Sequence, residues 1–249
     1  MLFRSVDPES IEDALQAGAY QQLQQVLAAA DPAAVIELVR ASGLRGRGGA
    51  GYPTGLKWAT VAAMPGTSKV VVYNADEGDP GAFMDRTLME GDPHTLLEGM
   101  AIAAYAVGAE RGFIYVRSEY PLAIERLRQA IAAAEAQHWL GTGIACSSFS
   151  CQLELRVGAG AYVCGEETAL IHSIEGQRGV PRPRPPYPAE QGVFGRPTLI
   201  NNVETFGNVP ALLRLGLEAY GSGTKVFSLT GHVQRDRKST RLNSSHQII

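Results

Sequence analysis

Apolar positions recur along the chain with two spacings, one helical and one strand-like, in alternating order. Val35, Leu38 and Val39 share a helical face in residues 32–42, with Asp31 placed to cap the start and Gly43 to end it. Two shorter helices are predicted before it, over residues 8–17 and 20–30, the first stopped at Gly18. Another short helix covers 56–64 and meets Pro65-Gly66. Val70-Val71-Val72-Tyr73 is a continuous β-branched run closed by an aromatic, the pattern of a strand buried on both faces. A loop over 74–83, a small-residue helix over 95–107 and a second buried strand over 112–116 follow. Residues 121–137 predict a helix with Leu122, Ile124, Leu127 and Ile131 inward and Glu125, Arg126 and Arg128 outward. Residues 151–157 alternate as a strand with one polar face, 158–165 form a glycine-rich turn, and 166–173 a helix. Residues 201–215 predict a helix opened by paired asparagines, and 225–231 a last strand. Such alternation predicts an α/β fold, a parallel sheet flanked by helices behind a short helical N-terminal segment.

The two ends are set apart from this pattern. Residues 236–246 read DRKSTRLNSSH, the translation of a DNA-sequencing adapter, and 2–5 read LFRS, the other edge of such an insert. Residues 6–235 are therefore taken as one natural domain, and 1–5 and 236–249 as adapter-derived.

Composition narrows the function. The 249 residues carry a net charge of −3, which gives no electrostatic support to nucleic-acid binding. No apolar run reaches the length of a membrane span, and no signal peptide is visible, which points to the cytoplasm. Three cysteines (Cys146, Cys151 and Cys164) favour a reducing compartment over a disulfide framework, and no metal site is expected from their spacing.

Candidate chemistry gathers in four segments. Residues 46–58 read GRGGAGYPTGLKW, with five glycines that let backbone N–H groups approach an anion and a helix start behind them. Its Gly46-x-Gly48-x-x-Gly51 spacing resembles a dinucleotide fingerprint, but a helix rather than a strand precedes it. Residues 74–81, NADEGDPG, follow a buried strand, where open α/β sheets bind ligands; a solvated acidic turn is the alternative. Residues 158–170 put Glu166 and Glu167 at a helix start, as ligand groups or as caps. Asn201-Asn202 opens another helix, with capping an equal reading. The proline-rich stretch 178–188, RGVPRPRPPYP, suits an extended strap over a site.

In this order the four segments resemble the NADH-binding FMN subunit of respiratory complex I. They are equally similar to its relatives in NAD(P)-linked hydrogenases and formate dehydrogenases, over residues 42–206. The resemblance implies a Rossmann-like domain. It assigns FMN contacts to Gly46, Arg47, Gly48, Gly49, Lys57, Asn74, Asp76, Glu77, Tyr162, Gly165, Glu166, Asn201 and Asn202, and NADH contacts to Tyr52, Asp79, Glu167, Arg184 and Tyr187. It implies hydride transfer between NADH and FMN with no catalytic side chain, and Glu167 disfavouring NADPH. It further implies electron exchange with a thioredoxin-like 2Fe-2S subunit and other iron–sulfur subunits of a larger complex, which can be peripheral to a membrane. The family continues into a ubiquitin-like domain and a helical domain with a 4Fe-4S cluster, both expected to be absent here. Complex I usually has phenylalanine at the positions of Tyr52 and Tyr187, lysine at Arg184 and glutamate at Asp79. GDPGAFMDR (78–86) and PRPRPPYP are closer to the hydrogenase and formate dehydrogenase types. Two alternatives from other classes are a non-catalytic flavin- or nucleotide-binding subunit and an enzyme that uses the pocket without flavin.

Overall fold

The computed structural model describes residues 6–66, 68–79, 81–221, 223–229 and 237–242. Three short helices, α1 (Ile11–Gln16), α2 (Gln21–Ala29) and α3 (Pro32–Ala41), lead the chain. Asp31 caps α3 by accepting from the Ala34 N–H at 3.0 Å, and Pro32 sits in the first turn, where no donor is lost. Helix α2 has no side-chain cap of its own; the buried Glu98 carboxylate accepts from the Gln22 and Leu23 N–H groups instead.

A four-stranded, wholly parallel sheet forms the centre, in the order β3 (Gln152–Gly158), β2 (Ala109–Arg117), β1 (Lys69–Ala75), β4 (Thr198–Asn202). Helices α5 (Met84–Gly91) and α6 (Pro93–Val107) connect β1 to β2, and α7 (Pro121–Ala136) connects β2 to β3. The path from β3 to β4 runs through α8 (Glu167–Ile174) and the proline-rich stretch. Successive side chains of a strand point to opposite faces. Val71, Tyr73 and Ala75 accordingly join the large cluster under the N-terminal helices, α6 and α9 (Val203–Tyr220). Val70 and Val72 join a smaller cluster with Phe113, Ile200 and the Leu170, Ile171 and Ile174 face of α8. Helix α6 is buried along nearly its whole length and passes so close to α9 that a Cβ at Gly99 would overlap the Phe206 carbonyl oxygen. That contact requires glycine for its missing side chain.

The predicted parallel α/β architecture stands, with four differences. Residues 84–91 form a helix that the pattern did not mark, because its sequence, MDRTLMEG, is mostly polar. Asn201 and Asn202 end a strand rather than open a helix; the helix begins at Val203. Leu122 is exposed although its spacing put it inward, since the buried stripe of α7 runs through Ala123, Ile124, Leu127 and Ile131. Strand β5 (Thr224–Leu229) pairs antiparallel with β6 (Arg237–Leu242), residues that the sequence reading set aside with 236–249. An extended segment with a free edge accepts an adjacent extended segment with little regard to its sequence. Residues 1–5, 230, 231, 236 and 243–249, on which other expectations fell, lie outside the described residues.

Candidate functional site

Strand β1 has β2 on one side and β4, reached much later in the chain, on the other. The strand order therefore switches direction between β1 and β4, and in open α/β sheets the crevice at the carboxyl ends of two such strands is the usual ligand position. Asn74 at the end of β1 lies in register with Asn202 at the end of β4, and Tyr73 with Asn201. All four segments singled out in the sequence meet here.

The glycine loop between α3 and α4 (Thr54–Ala63) closes one side. Gly46 donates to the Tyr52 carbonyl at 2.9 Å, which folds the loop into a tight excursion, and the Arg47 N–H is fixed by Thr205 Oγ1 at 2.9 Å. Gly49 and Gly51 have φ of 110° and 63°, which favours glycine. A Cβ at Gly48 would stand 3.2 Å from the Asn202 Cβ, so the loop lies directly against the end of β4. The Arg47 side chain turns inward, away from solvent, with Nε 3.9 Å from Glu204 Oε1. Trp58 is buried and donates to Asn201 Oδ1 at 3.2 Å, fixing that amide from below.

The acidic loop after β1 supplies the floor. Asn74 donates to the Gly165 carbonyl at 3.0 Å and accepts from the Asp76 N–H at 3.1 Å, joining the acidic loop to the second glycine turn. The Asp76 side chain is almost fully enclosed; Oδ1 lies 3.4 Å from Arg117 Nη1, while buried Oδ2 has no protein partner. Burial raises its carboxyl to about 6, against the opposing pull of Arg117. Glu77 is spent on structure: its two oxygens accept from the Asp85 and Arg86 N–H groups in the first turn of α5, at 3.1 and 3.0 Å. Asp79 accepts from the Tyr162 hydroxyl at 2.8 Å on the exposed side, which raises the tyrosine's pKa.

Glu166 caps α8, its Oε2 accepting from the Thr168 and Ala169 N–H groups at 2.9 and 3.0 Å. Its Oε1 lies 3.5 Å from Arg184. Glu167 is held between two cations, the Lys57 ammonium and Arg184 at 3.8 Å, and Lys57 also donates to the Ile200 carbonyl at 2.9 Å. Arg184 belongs to the proline-rich strap, which Arg182 anchors by donating its N–H to Thr168 Oγ1 at 2.9 Å. Tyr52, Tyr162 and Tyr187 are all exposed at the rim.

The sequence-derived site residues whose side chains have partners around this cleft are of two kinds. Arg47, Asn74, Glu77 and Glu166 use their side chains to hold loops and helix starts. Asp76 keeps a buried oxygen without a protein partner, while Lys57, Asn201 and Asn202 are held by hydrogen bonds at the end of β4. Asp85, inside GDPGAFMDR, and Glu204, two residues after Asn202, are assigned no role by the sequence. Asp85 is buried and accepts from Asn202 Nδ2 at 2.6 Å; burial and the nearby Glu77 push its carboxyl well up. Burial raises Glu204 to about 7, with Arg47 opposing. What the sequence does not show is their partners, Asn202 for Asp85 and Arg47 for Glu204.

FMN suits these residues on two observations. The loop approaches Asn202 where a Cβ at Gly48 would crowd it, and Asp76 holds an unpartnered buried acceptor suited to a hydroxyl donor. A separate cavity of about 520 Å³, lined by Arg111, His138 and Glu154 among others, lies at the amino ends of β2 and β3 and shares no residue with the cleft. Among the described residues no three histidine, cysteine or acidic groups are placed to hold a metal, and no helix is long and apolar enough to cross a membrane.

Residues 39–211 match the family described as the Nuo51 FMN-binding domain. The chain is 52% identical over 236 residues to the NADP-reducing hydrogenase subunit HndC of Solidesulfovibrio fructosivorans, covering 92% of this chain and 48% of that protein. It is 46% identical over 233 residues to a subunit of the NADH-quinone oxidoreductase of Aquifex aeolicus, covering 91% and 54%. A crystal structure of an NAD+-reducing NiFe hydrogenase in the H2-reduced state superposes with a TM-score of 0.78 at 40% identity, over 88% of this chain and 39% of that one. The chain spans about half the length of the curated relatives it matches.

Proposed function

The chain belongs to the Nuo51 FMN-binding domain family, and from that membership and the β1/β4 cleft we propose that it binds FMN there and exchanges hydride between FMN and NADH. The observation that carries the reading is the convergence of the four segments on the switch point. When bound, FMN supplies a centre that takes a hydride from a nicotinamide and gives electrons up one at a time.

The chain's own residues bind and orient. Gly46, Gly48 and Gly49 give close backbone approach, and Lys57 supplies positive charge beside the loop. Asp76, Asn201 and Asn202 offer acceptors and donors for hydroxyls and amide edges. Gly165 and Tyr162 close the far side, with Asn74, Glu77, Glu166 and Arg47 bracing the walls. NADH enters past Tyr52, Tyr162 and Tyr187, near Asp79, Glu167 and Arg184. No side chain has to act as general acid or base for hydride transfer.

The activity proposed is therefore that of an NADH:acceptor oxidoreductase subunit, with iron–sulfur subunits, among them a thioredoxin-like 2Fe-2S protein, as electron partners on the cytoplasmic side. Arg184, Tyr187 and residues 78–86 support a hydrogenase- or formate-dehydrogenase-type parent over complex I. Residues 6–235 would form the flavin domain of that subunit. The test is ferricyanide reduction by NADH with the full 249-residue chain. With bound flavin first stripped from the chain, turnover that appears only after FMN is added supports the reading; NADH oxidation by the stripped chain that FMN does not change contradicts it.

A further inference from the structure

Asp85 lies in the first turn of α5, outside the four segments, with only 3% of its surface exposed. Burying a carboxylate is unfavourable unless it is well paired. Here one oxygen accepts from Asn202 Nδ2 at 2.6 Å, and the other, Oδ1, is buried without a hydrogen-bond partner. Burial and the Glu77 and Glu204 carboxylates act against its charge, while the Asn202 amide and the Glu204 backbone N–H favour it. Folding alone would favour an apolar or amide side chain at this position. The acid is informative because of the group it holds.

Asn202 is fixed at both ends. Its Oδ1 accepts from the Glu204 N–H at 2.9 Å, capping α9, and a backbone N–H can only be met by the amide's oxygen. That choice turns the NH2 toward Asp85, whose carboxylate oxygen accepts one of its two N–H groups. The second N–H has no hydrogen bond to another described residue, and it lies at the end of β4 beside Gly48, whose added Cβ would stand 3.9 Å from Nδ2. Without an acceptor at position 85 the amide would be held by the cap alone, and its plane, Oδ1 and NH2 together, could rock about χ2, a broad torsion, as far as that one hydrogen bond allows.

We propose that Asp85 is a positioning residue for the flavin site: it sets the Asn202 amide so that the remaining N–H addresses bound FMN. The proposal rests on the FMN reading given above. It differs from a general structural role because it needs an acceptor oxygen at position 85 and does not need a negative charge.

The experiment measures the FMN dissociation constant of the full chain by quenching of flavin fluorescence. Asp85→Ala is expected to weaken FMN binding at least tenfold, and Asp85→Asn, which keeps an acceptor and loses the charge, to stay within threefold of wild type. In an Asn202→Ala background, Asp85→Ala is expected to cost less than twofold more, because the group it positions is gone. If the alanine variant is unfolded by circular dichroism, Asp85→Thr and Asp85→Val replace it; they share a shape, and only threonine offers an oxygen. A folded Asp85→Asn variant that loses FMN tenfold overturns the proposal, as does a folded alanine or valine variant that binds like wild type. A wild-type chain that takes up no FMN overturns the flavin reading itself and the positioning role with it.

Discussion

Replacing Asp76 by asparagine tests how the cleft trades stability for ligand chemistry. In the folded protein the carboxyl is raised from 3.8 to about 6, chiefly by burial. Between these values the folded chain keeps a proton that the unfolded chain has released. Wild-type stability therefore falls as pH rises through this window, and the loss levels off once the folded group has ionised. A shift of about two units corresponds to at most roughly 3 kcal/mol, and relaxation and water penetration around the carboxyl reduce the expectation to about 1–2 kcal/mol. Asparagine keeps an acceptor and carries no charge, while Arg117 retains Glu119 at 2.6 Å. Because Glu204 and Asp85 also titrate high, the observable is the variant's stability minus the wild type's. Urea unfolding followed by circular dichroism should show this difference growing by about 1–2 kcal/mol in the variant's favour from about pH 4 to about pH 8. FMN affinity should move the other way, falling roughly tenfold at about pH 8 because an amide is a weaker hydroxyl acceptor than a carboxylate. A pH-independent stability difference would refute the burial argument, and unchanged FMN affinity would refute the role assigned to Asp76.

Two further outcomes follow from packing and charge. Gly99→Ala sets a methyl group against the Phe206 carbonyl where α6 meets α9, and should destabilise the fold by about 2–3 kcal/mol, read as a lowered urea midpoint; an unchanged midpoint would mean the helices separate freely. Glu167→Ala releases Lys57 and Arg184 from the carboxylate between them and should raise the NADPH-to-NADH ratio of kcat/KM roughly tenfold, and an unchanged ratio would remove Glu167 from cofactor choice.

The strands that build the cleft differ in how plainly the sequence shows them. Lys69–Ala75 is central and buried on both faces, so its apolar run is unbroken and readable. Thr198–Asn202 is an edge strand of five residues whose last two are the asparagines that face the cleft, and those polar residues read as a helix start. The misreading has a physical basis, because Asn202 does cap α9 while ending β4. Local pattern likewise marks the glycines of residues 46–51, where backbone geometry demands them, but not Asp85 or Glu204. Asp85 reaches Asn202 only because α5 packs beneath the cleft, and Glu204, adjacent to the asparagines, meets Arg47 from the glycine loop; such pairing is invisible to spacing along the chain. Arg47 and Glu77 show the converse: their motif is plain in the sequence, and the structure directs their side chains to bracing roles.

The most direct test of the central claim is anaerobic addition of NADH to the full chain after reconstitution with FMN, followed by flavin absorbance. Stoichiometric FMN uptake and bleaching of the bound flavin by NADH are expected. A chain that binds FMN and is not bleached by NADH would be a flavin-binding module, and hydride exchange with NADH would be ruled out.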